Sequence, residues 1–454
     1  MSSLARQIVE REHDDLELYA RTINPQFVRM LRAIGFDRRW ARAEGAYLYD
    51  ADGNRFLDML GGFGMFAVGR NNPRIREALL QVLELETPGS VQLGVSALPG
   101  LLAQELLALV PSRLGRVVFT SSGTEAVEAA LKLARAATRR PRVISAERCF
   151  HGLTLGALST CGCGEFTEPF QPLLPGFARV PFDDLDALEA ELRREDVALF
   201  LVEPVQGKGV HVASPGYLEG SQALCRRYGT LFGIDEVQTG FGRTGRMFAF
   251  DHWGLEPDVL TVAKALSGGY VPIGACLISN DAFGRVFDSM EHAVRHGSTF
   301  APNDLAMAAG LATLAELERE RLVERSRELG ALLLELTQPL TERYEVVREA
   351  RGLGLMWALE FGEPRRGRQS WRLLERAQAG LFSQLVVTPL FREHRILAQV
   401  AGHGINVLKG LPPLTLTEAD VADFVEALDD VLAKASKIPR AAAGFAVRAA
   451  AGLL

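Results

Sequence analysis

The sequence predicts an α/β protein with a large domain and a smaller α+β domain. Short apolar runs alternate with helical segments between residues 116 and 279, which is typical of a mostly parallel sheet. The chain has 454 residues, more than one ordinary domain needs. A change of composition near Pro339 begins a region in which the strands and helices are shorter. These features together indicate two domains.

Charge and apolar content exclude several classes of function. The chain carries 50 Lys and Arg against 56 Asp and Glu, a net charge of −6, so no basic surface for nucleic acid is expected. No apolar run approaches the roughly 20 residues that span a bilayer, and residues 1–20 lack the apolar core of a signal peptide. The five cysteines show no metal-ligand or disulfide spacing. We therefore expect a cytoplasmic protein that binds neither nucleic acid nor membranes.

The N-terminal part combines helices with one hairpin. Residues 1–45 are predicted as polar helices, because their charges are mixed throughout. An Asp-Gly-Asn turn predicts a β-hairpin over residues 46–58. The glycine-rich stretch 60–64 either turns tightly over the core or forms a lip over a ligand, and both interpretations stay open. Residues 73–110 are predicted to be mostly helical.

The following segment supplies the strands of the large sheet. Strands are predicted at 116–120, 142–146, 198–202, 231–235, 259–263 and 272–279. The last strand follows a glycine-rich turn and is expected to return at the edge of the sheet. Helices are predicted at 126–137 and 303–336.

Asp235 and Lys264 are the residues that indicate chemistry. Each follows a short apolar strand, so an acid and an amine can face one crevice at the carboxyl edge of the sheet. A strand-end aspartate is usually a turn former, and a lysine is usually solvated. Together, however, they match the needs of pyridoxal phosphate, which binds a lysine through its aldehyde and keeps its ring nitrogen protonated beside a carboxylate. Such a lysine also serves as nucleophile and base.

Two further features fit this cofactor. The string Ser121-Ser122-Gly123-Thr124 joins a strand to a helix and places free N–H groups where a phosphate can bind. An ordinary helix cap is the alternative, but the nearby acid and lysine favour a phosphate site. Phe150 at a strand end is placed to stack on a planar ring, although such aromatics are more often part of the core.

The chain resembles the class III pyridoxal-phosphate aminotransferases, an ornithine-aminotransferase-like group of fold type I. The resemblance covers nearly the whole chain. It rests on SSGTEAVEAALKLARA from residue 121, FHG from 150, EPVQG from 203, IDEVQTGFGRTG from 234, AKALSGG from 263 and HGSTF from 296. Residues 60–73 and 169–177 look most like putrescine and diamine aminotransferases.

The resemblance implies an architecture. The large domain, with a mostly parallel seven-stranded sheet, would span residues 81–336, and a small domain would span 337–437. Residues 1–80 would contribute to the small domain and to dimer contacts. The tail 438–454 is expected to be weakly ordered or a short docked helix.

The resemblance also implies roles for single residues. Lys264 would form the Schiff base and transfer the proton, and Asp235 would hold the pyridinium nitrogen. Around the cofactor ring, the resemblance places Val237 beneath the ring, Gln238 near its hydroxyl, and Phe150 stacked on it with His151 beside Phe150. Glu203 would support the residues at the base of the site, and Ser122, Gly123 and Thr124 would bind the phosphate. Thr299 would reach the phosphate of a neighbouring subunit, and Phe63 would line the pocket from across the dimer. A homodimer would therefore be required, and a tetramer stays open.

Two positions depart from the family pattern. Lys208 stands where the family usually carries Glu, and Lys409 stands where it usually carries the Arg that clamps a carboxylate. We hypothesise that both lysines place positive charge around the substrate mouth. Alternatively, Lys409 simply replaces the Arg as a weaker carboxylate anchor, because a point charge lacks the bidentate fork.

The predicted activity is amino transfer from a primary amine, with a putrescine-like diamine as the first candidate, to a 2-oxo acid by a ping-pong mechanism. Two other activities remain open at this stage. The same fold and the same lysine suit an amino-acid racemase or epimerase, and they also suit a biosynthetic aminase for a carrier-bound or bulky carbonyl.

Overall fold

A computed structural model describes residues 14–89 and 94–437, together with residues 4, 6, 8 and 11. The tail 438–454, predicted above to be weakly ordered or docked, lies outside the described residues. The strands are β1 Trp40–Glu44, β2 Tyr47–Asp50, β3 Arg55–Asp58, β4 Leu114–Thr120, β5 Arg142–Ala146, β6 Phe177–Val180, β7 Val197–Val202, β8 Leu231–Asp235, β9 Val259–Val262, β10 Gly274–Ser279, β11 Val347–Leu353, β12 Met356–Phe361, β13 Ile396–Leu397, β14 Gln399–Val400 and β15 Val407–Gly410.

The α-helices are α1 Asp15–Thr22, α2 Pro25–Ile34, α3 Pro73–Glu84, α4 Ala97–Ala108, α5 Gly123–Thr138, α6 Leu155–Thr160, α7 Gly164–Thr167, α8 Leu185–Leu192, α9 Tyr217–Tyr228, α10 Asn280–Val286, α11 Asp304–Arg319, α12 Leu322–Thr337, α13 Leu340–Arg343, α14 Arg368–Ala377, α15 Leu381–His394 and α16 Glu418–Ala435. Among the residues described, none of these helices is both long and apolar enough to span a bilayer.

A seven-stranded sheet organises the large domain, and it confirms the predicted fold class. Its strand order is β4-β10-β9-β8-β7-β5-β6. Only β10 runs antiparallel to its neighbours. Strand β7 is buried along its whole length, and its sequence VALFLV is the continuous apolar run expected where both faces of a parallel sheet are covered. Helix α5 packs over the sheet with both of its leucines and all of its alanines except Ala136 buried.

Strand β10 does not lie at the sheet edge, and that prediction is wrong. It pairs with β4 on one side and with β9 on the other. All six of its residues are buried, which is typical of an interior strand. Strand β4, with an irregular burial pattern, is the edge strand instead.

The N-terminal residues join the C-terminal region through a second sheet. Its strand order is β1-β2-β3-β13, and β13 pairs in parallel with β3. The prediction of helices throughout residues 1–45 is therefore wrong for β1, whose pairing with β2 outweighs its helical charge pattern. A third sheet, β11-β12-β15-β14, lies in the region predicted as the small domain.

Candidate active site

The carboxyl ends of β8 and β9 open into one cavity of about 870 Å³. Asp235 is the last residue of β8, and Lys264 begins a short 3₁₀ turn, Lys264–Ser267, just after β9. Because these strands are parallel neighbours, both side chains reach the same edge of the sheet. Lys264 has φ of +44°, a left-handed conformation that is costly for a residue with a Cβ.

Almost all of the residues predicted from the sequence line this cavity. They are Phe63, Ser122, Gly123, Thr124, Phe150, His151, Glu203, Lys208, Asp235, Val237, Gln238, Lys264 and Lys409. Thr299 is the exception, because it is exposed in the stretch that follows β10 and α10 and does not line the cavity of its own chain.

Asp235 is buried, and both oxygens of its carboxylate have polar partners. Its Oδ2 lies 2.6 Å from Nδ1 of His151, and its Oδ1 accepts a hydrogen bond from the Val237 N–H at 2.9 Å. Burial by itself would lower the pKa of His151, but Cys149 and the Asp235 carboxylate outweigh it and raise that pKa well above its usual range. Nε2 of His151 is buried and has no hydrogen-bond partner within the described structure.

Glu203 joins two loops at the cavity floor. Its carboxylate accepts hydrogen bonds from the N–H groups of Phe150 at 3.1 Å and Gly207 at 2.8 Å. Burial raises the pKa of this carboxyl group. Glu203 thereby fixes the backbone that carries Phe150, whose ring packs edge-on against Phe166 at 5.3 Å between centroids.

The N-terminus of α5 forms the opposite end of the cavity. Ser122 caps the helix, because its Oγ accepts a hydrogen bond from the Glu125 N–H at 3.3 Å. The first-turn N–H groups of a helix have no intrahelical partner and attract anions. A Cβ at Gly123 would lie 2.9 Å from Cγ1 of Val237, so glycine permits the close approach of the helix to the loop after β8.

Burial lowers the pKa of Lys264, although the carboxylates of Asp235 and Glu203 act in the opposite direction. A lowered pKa increases the neutral fraction of the amine, which is the form that attacks a carbonyl or takes up a proton.

The two lysines that depart from the family pattern both have partners within the chain, and the hypothesis that they place positive charge around the substrate mouth stays a prediction. Lys208 forms an ion pair with Glu165. Lys409 is buried and donates hydrogen bonds to the carbonyl of Gly207 and to Oε1 of Gln238. Burial, together with the nearby charge of Lys264, lowers the pKa of Lys409 to about 7.

Phe63, which the resemblance places across a dimer, also lines the cavity within one chain, and its role across a dimer stays a prediction. It lies at the cavity of its own chain, where its carbonyl accepts a hydrogen bond from Nε2 of Gln238 at 3.2 Å. Its side chain is 58% exposed. The glycine-rich stretch 60–64 therefore contributes Phe63 to the wall of this cavity.

Sequence reasoning missed Glu165, Phe166 and His403, which also line the cavity. Glu165 and Phe166 lie just before the 169–177 stretch that carried part of the resemblance. Their closeness to that stretch could have indicated that they belong to the site. His403 lies between two glycines, a local pattern that indicates a turn and no particular chemistry.

Comparison with known proteins identifies the family. A family model described as aminotransferase class-III matches residues 35–432. The chain belongs to the class III aminotransferases. This aminotransferase is 38% identical over 435 residues to the putrescine aminotransferase of Pectobacterium atrosepticum, covering 92% of this chain and 88% of that protein. It is 36% identical over 452 residues to aminotransferase PigE of Serratia sp., where it covers 92% of this chain but 53% of PigE, about half of that relative's length.

Solved structures of transaminases share the fold. An omega-transaminase from Thermomicrobium roseum matches with a TM-score of 0.79 and 30% identity, covering 87% of this chain and 92% of that one. The ornithine aminotransferase of Toxoplasma gondii matches with a TM-score of 0.78 and 31% identity, covering 87% of this chain and 90% of that one. These likenesses confirm the predicted fold type I architecture, and the family favours transamination over the racemase alternative.

Proposed function

We propose that this aminotransferase binds pyridoxal phosphate in the cavity at β8 and β9 and transfers the amino group of a diamine such as putrescine to a 2-oxo acid. The observation that carries this proposal is the convergence of Asp235 and Lys264 on one cavity. The diamine is supported by the similarity to a putrescine aminotransferase over 88% of that relative. Cytoplasmic localisation, predicted from the sequence, remains part of the proposal.

The residues present fit the proposed cofactor. A buried carboxylate, Asp235, suits a protonated ring nitrogen, and the N-terminus of α5 suits a phosphate. The unpartnered Nε2 of His151 leaves one further polar group in the cavity wall. The close approach that Gly123 permits brings the N-terminus of α5 next to Val237.

The chemistry divides between the cofactor and the protein. Bound pyridoxal phosphate would supply an electron-withdrawing ring conjugated to an aldehyde carbon. Asp235 would hold positive charge at the ring nitrogen, and Ser122, Gly123 and Thr124 would hold the phosphate. Nζ of Lys264 accepts a proton from the amine-bearing carbon of the donor and later returns a proton to the acceptor. Glu203 fixes the backbone of Phe150, whose side chain would pack against the ring.

Replacement of Lys264 tests this function. Lys264→Ala should abolish turnover with 1,4-diaminobutane and 2-oxoglutarate, because the nucleophile and base are lost. Borohydride reduction followed by intact-mass measurement gives an independent readout: the wild-type protein should retain the cofactor covalently, and Lys264→Ala should not. Lys434→Ala, at an exposed lysine on α16, is the matched control. Wild-type turnover by Lys264→Ala would refute the assignment.

We also propose a homodimer. Thr299, predicted to reach a neighbouring subunit, is exposed, and the same stretch exposes Met290 at 95%, Val294 at 89% and Phe300 at 74%. Apolar side chains so fully exposed indicate an interaction surface. Val294→Asp should shift the native mass from dimer to monomer in analytical ultracentrifugation. A wild-type protein that sediments as a monomer at all concentrations would refute this proposal.

A further inference from the structure

Glu165 and Lys208 form an ion pair in the wall of the cavity. Their side chains are 28% and 16% exposed, so the pair is partly open to solvent. Nζ of Lys208 lies 4.5 Å from the ring centroid of Phe166, and Phe166 packs edge-on against Phe150. The pair therefore lies against two aromatic rings that also line the cavity.

The other carboxylates of the cavity wall are already engaged. Asp235 contacts His151 and the Val237 N–H, and Glu203 accepts two backbone N–H groups. Lys409 is buried with two of its N–H donors in use. Within the described structure, the pair of Glu165 and Lys208 is thus a place in this wall where an acid and a base are in contact and partly open to solvent.

We propose that Glu165 and Lys208 form a distal-charge subsite, in which Glu165 binds the far ammonium of a diamine donor and Lys208 binds the far carboxylate of a dicarboxylic 2-oxo acid. This inference rests on the proposed function, since the donor and the acceptor occupy one cavity in turn. Their far ends carry opposite charges, and a wall of one sign would repel one of them. A paired acid and base accepts both.

The pair can bind either charge without being broken. Nζ of Lys208 contacts Oε1 of Glu165. A carboxylate has a second oxygen, and an ammonium group has three N–H donors, so each partner retains capacity for a further contact. A diamine ammonium can therefore bind the remaining oxygen of Glu165, while an acceptor carboxylate can bind a remaining N–H of Lys208.

Comparing substrates with and without a far charged group distinguishes charge recognition by Glu165 and Lys208 from a purely structural role of the pair. In Glu165→Gln, kcat/KM for 1,4-diaminobutane should fall by about tenfold, as expected for loss of a charge-assisted contact, while the value for 1-aminobutane changes less than about twofold. In Lys208→Gln, kcat/KM for 2-oxoglutarate should fall by about tenfold, while that for pyruvate is retained. Glu168→Gln, at an exposed carboxylate three residues along the same segment, is the control.

The double variant Glu165→Gln, Lys208→Gln removes both charges and leaves neither partner unpaired. It should no longer prefer 1,4-diaminobutane over 1-aminobutane or 2-oxoglutarate over pyruvate. It should still transfer the amino group of 1-aminobutane to pyruvate. Equal losses for 1,4-diaminobutane and 1-aminobutane in Glu165→Gln, or an unchanged preference in the double variant, would overturn the subsite. A wild-type protein that accepts no amine donor would instead overturn the proposed function.

Discussion

Glu236 follows Asp235 directly in the chain but does not line the cavity. Its carboxyl group is buried, accepts a hydrogen bond from the Phe250 N–H at 2.8 Å and contacts Thr239 Oγ1. Burial raises the pKa of Glu236 to about 7 from its usual 4.5. The stability that this group contributes is therefore fully present below pH 4.5 and is lost as pH rises through about 7.

Replacement of Glu236 by glutamine should remove this pH dependence. The amide keeps an oxygen for the Phe250 N–H but cannot ionise, so a pH-dependent loss of roughly 3 kcal/mol should disappear. Urea unfolding of the holoenzyme at about pH 5 and about pH 8 measures the difference. The same pH dependence in Glu236→Gln and in the wild-type protein would show that another group is responsible.

Lys409 is the residue where buried charge should affect substrate binding. Its pKa of about 7 leaves it partly neutral near neutral pH, and only its protonated form binds a carboxylate. We expect the KM of both 2-oxoglutarate and pyruvate to rise as pH increases above about 7. Lys409→Gln should raise both KM values by about tenfold and abolish this pH dependence, because both acceptors carry a carboxylate beside the carbonyl.

The effect of Lys409 is distinguishable from that of Lys208. The Lys208 variant should affect 2-oxoglutarate alone, because pyruvate has no far carboxylate. Unchanged KM values in Lys409→Gln would exclude Lys409 as the anchor. In that case its role would be limited to the hydrogen bonds with Gln238 and Gly207.

Among the secondary-structure elements, the close packing of α5 against the loop after β8 determines how near the helix N-terminus lies to Val237. A Cβ at Gly123 would meet both Cγ atoms of Val237, at 2.9 and 3.2 Å. Gly123→Ala should push the helix N-terminus away and weaken cofactor affinity by roughly tenfold, about 1.4 kcal/mol. Equilibrium dialysis of pyridoxal phosphate measures this change.

Gly284→Ala in α10 is the matched control for this substitution. A Cβ at Gly284 would have no neighbouring atom within 4 Å. Alanine there should leave cofactor affinity unchanged and stabilise the helix by about 0.5–1 kcal/mol. Equal cofactor affinity in Gly123→Ala and Gly284→Ala would contradict the close-packing argument.

Across the whole molecule, Arg243 connects the loop after β8 with residues more than 100 positions later in the chain. It lies in the glycine-rich loop after β8, is fully buried, and donates hydrogen bonds to the carbonyls of Leu355 and Pro412. Burial lowers its pKa to about 9, although Asp58 acts in the opposite direction. Its Nε and Nη2 atoms have no hydrogen-bond partner in the described structure.

Loss of Arg243 should be strongly destabilising. Arg243→Ala leaves two buried carbonyls unsatisfied and creates a cavity, so we expect a loss of roughly 3–5 kcal/mol in the free energy of unfolding. Arg246→Ala, at an exposed arginine of the same loop, should change stability by less than about 0.5 kcal/mol. Thermal unfolding of both variants tests the prediction, and equal Tm values would refute it.

The local pattern of the sequence predicted the strands and the strand ends at the cavity, and the family resemblance supplied most of the other residues at the site. Asp235 and Lys264 were predictable because strand ends of a parallel sheet share one edge, and this geometry depends only on local pattern. The position of β10 was not predictable, because an antiparallel strand buried on both faces has the same composition wherever it pairs.

The tertiary structure alone decided the state of the charges. Nothing in the local sequence distinguishes the environments of Lys208 and Lys409. Lys208 is paired with Glu165, 43 residues away in the chain, whereas Lys409 is buried against Gln238. The electrostatics of a side chain depend on burial and on partners brought together from distant positions. Local sequence therefore fixes which groups reach the cavity, and long-range packing fixes whether they carry charge there.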